Sequence, residues 1–354
     1  MSSSSLTPPA AVADPTMWII SDDALAAWMH RSLAGVEALL RTTVHHPGDP
    51  FLSTVATHLL AAGGKRIRPA LVLLAARFGD PDRPTVLRAA AAVELMHVAS
   101  LYHDDVMDEA ATRRGVPSVN ARWSNRVAIL AGDYLVAKAA ELAAPLGAEA
   151  VEEQARMLTR LVTGQLRETV GAGRHADPER YYMGVIADKT AALFTLAARL
   201  GAHASGASAE ATDALGAYGE ALGIAFQLAD DVLDLTEPSL RAGKPANADL
   251  RQGVATLPLL RAVRGRGRGS ARLRKLLASG PIRDADKLAT AARLLRRSPG
   301  LAETRAEVER YASRAGQALL RLPASPARET LTTMCDHIVS RAGPQPTGLT
   351  NPDS

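Results

Sequence analysis

Apolar residues recur at spacings of three and four along most of the chain, and this helical period constrains the fold more than any other sequence feature. Runs of β-branched residues with strict apolar and polar alternation are absent, so the chain is predicted to be all-α. The pattern predicts helices at about 22–44, 50–62, 67–78, 84–109, 117–145, 148–171, 177–204, 208–236, 255–263, 270–279, 284–297, 300–321 and 325–341. It predicts one domain at 21–342 between disordered tails at 1–20 and 343–354.

The charge balance does not indicate a nucleic-acid partner. The 354 residues carry a formal net charge of only +4. One basic run at 261–275 is interleaved with glycine and lacks aromatic residues for base stacking, so it is predicted to be a solvated loop between helices. A helical nucleic-acid-binding protein is the alternative for this run, and a salt-dependent mobility-shift assay separates the two interpretations.

The sequence predicts a cytoplasmic protein. Its single cysteine, Cys335, excludes an internal disulfide and suits a reducing compartment. The N-terminal residues lack the basic and apolar regions of a signal peptide. No uninterrupted apolar stretch is long enough to predict a transmembrane helix.

Two clusters of three aspartates share the spacing Asp-Asp-x-x-Asp, and each ends a mainly apolar helix. The first contains Asp104, Asp105 and Asp108, and the second contains Asp230, Asp231 and Asp234. Positions four apart share a helix face, where two carboxylates about 4 Å apart repel by roughly 4 kcal/mol at an effective dielectric of 20. Such a cluster either titrates or binds a cation. Carboxylates without nearby paired cysteine or histidine favour Mg²⁺ or Mn²⁺, and Mg²⁺ in turn favours a diphosphate ligand.

Cationic residues that could face such a diphosphate accompany both clusters. Arginine binds phosphate through a bidentate fork, and lysine binds it as a point charge. The candidates are Lys65, Arg66 and Arg68 in "GGKRIRP", Arg113 and Arg114 in "TRRG", Lys189 beside Thr190 in "DKT", and Lys244 in "AGKP". Each is weak evidence alone, because exposed basic residues are common, but together they favour a diphosphate site.

These motifs resemble those of the trans-isoprenyl diphosphate synthases, or polyprenyl synthetases, over roughly residues 50–265. The shared motifs, in order, are "GGKRIRP", "DDVMD" with "RRG", "DKT", "FQLADDVLD" and "GK…DL…TLP". The resemblance implies a single-domain isoprenoid synthase fold with helices around a deep central cavity, usually as a homodimer. It implies Mg²⁺-dependent head-to-tail (1'-4) condensation of isopentenyl diphosphate with an allylic diphosphate, giving an all-trans-polyprenyl diphosphate.

The resemblance also implies roles for individual residues. Three Mg²⁺ ions are expected on Asp104, Asp108 and Asp230, with Asp105, Asp231 and Asp234 as further ligands or as groups behind the ligands. The residues expected to contact the allylic diphosphate are Arg113, Lys189 and Lys244. Those expected to hold isopentenyl diphosphate are Lys65, Arg68, His97 and Arg114. Thr190 and Gln227 are expected to line the site and steady the developing carbocation. Without the resemblance, a histidine on an apolar helix is more typical of a structural group.

Product length is the least constrained expectation. The resemblance implies that the growing chain follows the helix before the first cluster, where a bulky aromatic residue four or five positions before Asp104 stops growth. Here Ser100 and Ala99 are small, with Met96 one turn further. Because one helical turn, about 5.4 Å, is close to the length of an isoprene unit, we expect about six to ten units (C30–C50), with geranylgeranyl diphosphate as the alternative. A long product suggests loose membrane association for its release.

One departure and two competing classes remain at this stage. Val254 stands where many members of the family carry a lysine, so one contact to diphosphate is expected to be missing. Weaker affinity for the allylic substrate is one expected consequence, and substitution by the nearby Arg251 is the alternative. A terpene cyclase also uses an aspartate-rich motif, but "GGKRIRP" has no role there, and product analysis with farnesyl diphosphate alone discriminates. A non-enzymatic subunit of a heteromeric synthase usually loses aspartates from one motif, whereas both are intact here.

Overall fold

The computed structural model describes residues 20–173, 177–236, 247–278 and 280–343. The helices, in chain order, are α1 (Asp23–Val44), α2 (Pro50–Ala61), α3 (Ile67–Ala76), α4 (Pro84–Met107), α5 (Val119–Arg122), α6 (Asn125–Ala143), α7 (Ala148–Val170), α8 (Pro178–Ile186), α9 (Ala192–Ser205), α10 (Ala209–Thr236), α11 (Ala248–Gln252), α12 (Leu257–Arg264), α13 (Arg268–Leu277), α14 (Ala285–Arg296), α15 (Pro299–Leu319) and α16 (Pro326–Ala342). A 3₁₀ turn spans Ala144–Leu146 and a π-helical turn spans Ala187–Ala191. The all-α prediction is confirmed. The predicted tails lie almost entirely outside the described residues.

Two long helices, α4 and α10, occupy the centre of the fold and end at the two aspartate clusters. Helix α4 packs against α1, α3, α6 and α9, and α10 packs against α9, α15 and α16. Both are anchored by fully buried tyrosines with satisfied hydroxyls: Tyr102 donates to the Val55 carbonyl at 2.7 Å, and Tyr218 donates to the Leu331 carbonyl at 2.8 Å. Such burial holds each helix in place, because the aromatic body contributes apolar contact while the hydroxyl keeps a partner.

Several helix boundaries follow the predicted local chemistry. Asp177 caps α8, and its Oδ1 accepts the backbone N–H groups of Glu179 and Arg180 at 3.0 and 3.4 Å. Pro178 occupies the first turn, where its missing N–H costs no hydrogen bond. A cap of this kind contributes about 1 kcal/mol to helix stability. The glycine turn after α2 also behaves as predicted, since Gly63 has a φ of 84°.

The predicted helix at 117–145 is wrong in its first part. Pro117 lies in β2 (Val116–Pro117), which pairs antiparallel with β1 (Thr112–Arg113). The turn residues Arg114 and Gly115 have φ values of 52° and 77°, which is typical of a type I′ hairpin. Helix α5 then ends at Arg122, with Trp123 as its C-cap, and α6 begins under a new cap, since Ser124 Oγ accepts the Val127 N–H at 3.2 Å. The hairpin was missed because Arg-Gly is a weaker turn signal than Asn-Gly.

The predicted helix at 177–204 is interrupted by the π-helical turn at Ala187–Ala191, which carries the "DKT" motif. Such turns frequently occur at functional sites, because one extra residue shifts the phase of the side chains that follow. A short helix, α11, was also missed between 236 and 255. No described helix is long and apolar enough to cross a membrane.

Candidate active site

The three aspartates of the first cluster occupy different environments at the end of α4. Asp104 is half-buried and Asp108 is exposed. Asp105 is fully buried, and its Oδ1 accepts a hydrogen bond from Arg113 Nε at 2.7 Å. Arg113 Nη2 forms an ion pair with the same oxygen at 2.5 Å. The β1–β2 hairpin thereby holds Arg113 beside the cluster. Within this cluster, only the carboxylates of Asp104 and Asp108 are accessible to a ligand. Asp105 instead holds the Arg113 side chain in place.

The second cluster, at the end of α10, divides in a similar way. Asp230 is half-buried and lies 3.3 Å from the Arg341 guanidinium of α16. Asp231 is 3% exposed; it accepts hydrogen bonds from the Tyr182 hydroxyl and, at 3.1 Å, from Gln227 Nε2. Burial, followed by the nearby Asp249, raises the pKa of Asp231 well above its usual range.

Asp234, the third member, holds the chain that follows. Its carboxylate oxygens accept the backbone N–H groups of Ala248 at 2.9 Å and Asp249 at 3.2 Å, at the start of α11. Its own carbonyl accepts the N–H of Asn247 at 3.1 Å. A carboxylate at a helix N-terminus is favourable because it satisfies exposed donors and complements the helix dipole. Asp234 therefore ties the last turns of α10 to Asn247 and the start of α11.

The π-helical turn lies between the two clusters. Lys189 pairs with Glu168 of α7, and Thr190 Oγ1 donates to Gln227 Oε1 at 2.9 Å. Gln227 in turn donates to Asp231, which completes a hydrogen-bonded path into the second cluster. Lys189 also counteracts the effect of burial on Asp104, so it is electrostatically coupled to the first cluster. The turn thus places one cation and one hydroxyl between the clusters.

Gly164 of α7 allows this turn to approach closely. A Cβ atom at position 164 lies 2.6 Å from the Lys189 backbone nitrogen. We expect Gly164→Ala to displace the turn, raise KM for the allylic diphosphate about tenfold and lower stability by about 1–3 kcal/mol. Steady-state kinetics and thermal unfolding measure both effects. Gly184→Ala is the matched control, because that helical glycine has open space around it; equal behaviour of the two variants contradicts the close-approach argument.

An ion-pair network fixes the glycine turn that carries the other cations. Arg66 is 5% exposed, has a left-handed backbone with a φ of 49°, and pairs with Glu37 and, at 2.6 Å, with Glu94. Its Nη2 also donates to the Leu60 carbonyl at 3.1 Å. Arg66 therefore belongs to the scaffold, whereas its neighbour Lys65 is exposed.

Arg114, expected to hold isopentenyl diphosphate, contacts the same turn. Its Nη1 donates to the carbonyls of Leu59 and Gly63 at 2.8 and 2.5 Å, and its Nη2 lies 3.6 Å from Glu94. Glu94 thus joins the hairpin to the glycine turn. A side chain at position 64 would crowd this arginine, since its Cβ would lie 3.0 Å from the Arg114 guanidinium carbon, and it would be strained by the φ of 154°.

Removing the Glu94 charge should loosen both the glycine turn that carries Arg66 and the hairpin that carries Arg114. Glu94 is 2% exposed, so Glu94→Gln leaves buried arginines without their carboxylate, and breaking such a pair costs about 3–5 kcal/mol. We expect KM for isopentenyl diphosphate to rise more than tenfold, while KM for the allylic substrate stays within about threefold, and chemical denaturation to report the lost stability. Exposed Glu141→Gln is the control. Equal increases in both KM values contradict a specific link to this subsite.

Arg68 and His97 lie within the same positive region. Burial lowers the pKa of Arg68 to about 10, partly offset by Glu94, so it remains charged near neutral pH. Its Nε is buried without a hydrogen-bond partner among the described residues. Burial and the neighbouring arginines, Arg68 first, lower the pKa of His97 well below its usual range, so its imidazole is neutral. Buried donors of this kind are costly unless they meet an acceptor, which suits an anionic ligand.

The candidate chain-length residues lie on two faces of α4. Ser100 is partly accessible, on the face shared with His97 and Asp104, and its Oγ donates to the His97 carbonyl at 2.8 Å. Ala99 and Met96 are almost fully buried, at 1% and 2% exposure. Added bulk at Ser100 therefore enters accessible space, whereas bulk at Ala99 meets packed neighbours.

Four residues of the site were missed by sequence reasoning: Glu94, Glu168, Tyr182 and Arg341. Glu94 carried a usable signal, because it is the one charged residue in the apolar stretch 89–102 of α4. Tyr182 and Arg341 carried no such signal, because they are far in sequence from the aspartates that they contact. Tyr182 is 49 positions from Asp231, and Arg341 is 111 positions from Asp230. Lys244 lies outside the described residues.

The donor set fits divalent metal binding with a substrate present. Among the residues that the structure describes, no three His, Cys, Asp or Glu side chains are grouped closely enough to hold a metal ion alone. Asp105 and Asp231 are buried, and both carboxylate oxygens of Asp234 accept backbone N–H groups. This leaves Asp104, Asp108 and Asp230 as the candidate hard oxygen donors. Mg²⁺ commonly takes one or two carboxylates and completes its shell with water and phosphate oxygens. The surrounding cations suit such a phosphate.

Comparison with known proteins places this arrangement in a family. The polyprenyl synthetase family model matches residues 49–295. The chain is 45% identical to nonaprenyl diphosphate synthase of Mycobacterium tuberculosis, over 92% of this chain and 96% of that protein. It is similar to geranylgeranyl pyrophosphate synthase of Corynebacterium glutamicum, solved with calcium and isoprenyl diphosphate (TM-score 0.83, 42% identity, 92% and 100% of the two chains). A decaprenyl diphosphate synthase from Rhodobacter capsulatus also matches (TM-score 0.83, 35% identity, 91% and 99%).

The chain therefore belongs to the polyprenyl synthetase family, and its helices adopt the isoprenoid synthase fold. It is a prenyltransferase of isoprenoid biosynthesis. The sequence prediction of family and enzyme class is confirmed.

Proposed function

We propose that the protein catalyses Mg²⁺-dependent 1'-4 condensation of isopentenyl diphosphate with an allylic diphosphate, giving an all-trans-polyprenyl diphosphate longer than C15. The observation that carries this proposal is the position of the π-helical turn between the two aspartate clusters. Lys189 is electrostatically coupled to Asp104, and Thr190 is linked through Gln227 to Asp231, beside Asp230. Family membership supports the reaction class, and the divalent ion in the C. glutamicum structure supports metal dependence.

The proposed mechanism assigns the anionic and cationic groups to two subsites. Asp104, Asp108 and Asp230 would hold the metal ions, three in number, which neutralise the charge of the leaving diphosphate. Arg113, Lys189 and, outside the described residues, Lys244 bind the allylic diphosphate. Lys65, Arg68, His97 and Arg114 bind isopentenyl diphosphate, with the neutral His97 acting as a hydrogen-bond donor.

The remaining groups act on the reacting carbon atoms and on each other. Thr190 and Gln227 present oxygen dipoles that steady the allylic cation, and Asp231 with Tyr182 fixes the orientation of the Gln227 amide. Asp105 orients Arg113, and Asp234 closes the end of α10 onto α11. The C1–O bond of the allylic diphosphate breaks, and C4 of isopentenyl diphosphate bonds to that C1. The proton lost from C2 of the isopentenyl unit passes to the departing diphosphate. Positioning of the two substrates supplies the main rate gain.

We propose a product of about six to ten isoprene units, with geranylgeranyl diphosphate as the second candidate. The small side chains at Ser100 and Ala99 support the longer product, as do the nonaprenyl and decaprenyl synthases among the relatives. The C. glutamicum structure favours the second candidate. Incubation with Mg²⁺, isopentenyl diphosphate and each primer of one to four units, followed by mass analysis, tests both. Hydrocarbon formed from farnesyl diphosphate alone contradicts the proposal and indicates a cyclase.

Metal affinity should depend on pH through Asp104. Burial, with Asp108 adding to it and Lys189 opposing it, raises the pKa of Asp104 to about 6. The carboxyl is protonated below that pH, and a metal ligand must be deprotonated, so Mn²⁺ affinity should fall about tenfold for each pH unit below 6 and stay flat above 7. Electron paramagnetic resonance titration with Mn²⁺, in the presence of an unreactive thio analogue of the allylic diphosphate, measures this. Asp104→Asn should lose the pH dependence, and an unchanged affinity at pH 5 contradicts the assignment.

We propose a single polyprenyl synthetase domain at 21–342 that forms a homodimer in the cytoplasm. Exposed apolar residues on α6 and α7 support the dimer; they are Ile129, Leu130, Val162, Leu166 and Val170. The last three follow a four-residue spacing, so they form one stripe along α7. Cys335 is a buried free thiol, which suits a reducing compartment. Sedimentation equilibrium tests the dimer. Loose membrane association for release of a long product is part of the same proposal.

A further inference from the structure

The basic run at 261–275 has no part in the proposed reaction, and the structure shows that it is mostly helical rather than a loop. Helices α12 and α13 cover most of it. On α13, Arg268, Arg272 and Lys275 are exposed and follow the spacing i, i+4, i+7, so they share one face. Leu273 on the opposite side is buried. The run is therefore an amphipathic helix with a basic outer face.

The next helix extends this basic face. Helix α14 packs against α13, with Leu288, Ala291 and Leu295 buried. Its exposed basic residues are Arg293, Arg296 and, at the C-cap, Arg297, again within one helical turn. We refer to these six residues as the basic face: Arg268, Arg272, Lys275, Arg293, Arg296 and Arg297.

The charge of this region is far from the average of the chain. Residues 264–297 contain eleven of the 41 basic and two of the 37 acidic side chains, so the segment carries +9 and the remaining residues together carry −5. Two of the eleven are committed to the fold: Arg274 donates to the Val263 and Gly265 carbonyls, and Arg264 pairs with Glu179 at 2.7 Å. Within the described residues, none of the basic face forms an ion pair shorter than 4.0 Å.

We propose that the basic face docks the protein on an anionic lipid bilayer. Clustered, exposed lysine and arginine are attracted to the negative surface potential of anionic lipids. Residues 264–297 contain no aromatic side chain, so the stacking that single-stranded nucleic acids use is absent there. The choice of a lipid partner also rests on the proposed function, because a long polyprenyl diphosphate combines an anionic head with an apolar tail and partitions into bilayers.

The basic face is linked to the second aspartate cluster through few contacts. Asp234 caps α11, and the α11 carbonyl of Leu250 accepts the N–H of Ile282 at 3.0 Å, just before α14. Helices α12 and α14 also pack directly on α10. Docking through this face would therefore involve α13 and α14, close to α11, which Asp234 caps. The exposed apolar residues proposed for the dimer lie on other helices, α6 and α7.

Vesicle flotation without substrates tests the proposal. The probes are phosphatidylcholine vesicles with roughly one-third phosphatidylglycerol and vesicles of phosphatidylcholine alone, at about 0.1 M and about 0.5 M salt. We expect binding to the anionic vesicles only, weakened at the higher salt. Because each basic residue contributes roughly a fivefold factor, the triple variant Arg268→Gln, Arg272→Gln, Lys275→Gln should bind on the order of 100-fold more weakly. The triple variant Arg293→Gln, Arg296→Gln, Arg297→Gln should show a similar loss.

The matched control removes three exposed arginines elsewhere, with Arg31→Gln, Arg41→Gln and Arg88→Gln on α1 and α4, and should bind like the wild type. Equal binding of all variants, or equal binding to neutral vesicles, overturns the proposal. Binding of a short single-stranded RNA without binding of anionic vesicles overturns the lipid assignment. Turnover in detergent is measured separately and should be the same in every variant, so an inactive wild type refutes the proposed function without affecting the vesicle result.

Discussion

Replacing Asp104 with alanine should lower turnover by about a thousandfold or more, equivalent to about 4 kcal/mol of lost transition-state stabilisation. The reason is that Asp104 is one of the two accessible carboxylates of the first cluster, and the nearby positive charge of Lys189 favours its ionised form. Without it, the departing diphosphate loses a metal ion that neutralises its charge. Asp230→Ala should have an effect of similar size, because it supplies the opposite side of the site. Steady-state rates with saturating isopentenyl diphosphate and added Mg²⁺ measure both.

The control for these variants is Asp23→Ala, an exposed aspartate on α1, which should keep wild-type turnover. Circular dichroism and thermal unfolding establish that each variant is folded. The middle aspartate offers a sharper contrast. Asp105 is paired with Arg113, so Asp105→Asn should raise KM for the allylic substrate and leave the Mg²⁺ requirement unchanged. A folded Asp104→Ala enzyme with near-normal turnover contradicts the metal assignment.

Ser100→Phe should shorten the product from about six to ten isoprene units to about three or four, because a benzyl group on the accessible face of α4 closes the channel about one turn below Asp104. Mass analysis of products from farnesyl diphosphate and excess isopentenyl diphosphate shows the shift directly. Ala99→Phe should shorten the product as well. It should also cost about 1–3 kcal/mol of stability, because Ala99 is fully packed.

Arg88→Phe adds the same side chain to α4 at an exposed position four turns away from the cluster and controls for nonspecific effects. It should leave the product distribution unchanged. If Ser100→Phe folds, turns over and still makes the wild-type products, growth does not proceed along this face of α4. In that case the chain-length interpretation is wrong, although the reaction class stands.

The helices and the two aspartate motifs were predictable because their signals are local. Periodicity placed α1, α2, α4 and α10 within about two residues of their observed ends. Asp-Pro at 177–178 predicted a helix start through the capping chemistry of two adjacent residues. The aspartate spacing predicted which carboxylates share a helix face, although not that Asp105 and Asp231 are buried behind their neighbours.

The parts that were missed depend on contacts between distant segments. The π-helical turn exists where Gly164 permits close packing and Glu168 pairs with Lys189, and neither is visible from the letters "DKT". The sequence makes Arg66 a candidate for binding diphosphate, but in the structure its guanidinium forms ion pairs with Glu37 and Glu94. The role of Arg114 in joining the hairpin to the glycine turn likewise depends on carbonyls more than fifty residues away.

The central claim is that two acidic helix ends share one metal-bound diphosphate. A crystal structure with Mn²⁺ and an unreactive thio analogue of the allylic diphosphate tests it most directly, because anomalous scattering locates the ions. The account predicts Mn²⁺ at about 2.0–2.2 Å from oxygens of Asp104, Asp108 and Asp230, on a single diphosphate that also contacts Lys189. Ions bound to only one of the two helix ends, or a diphosphate held away from both, would contradict it.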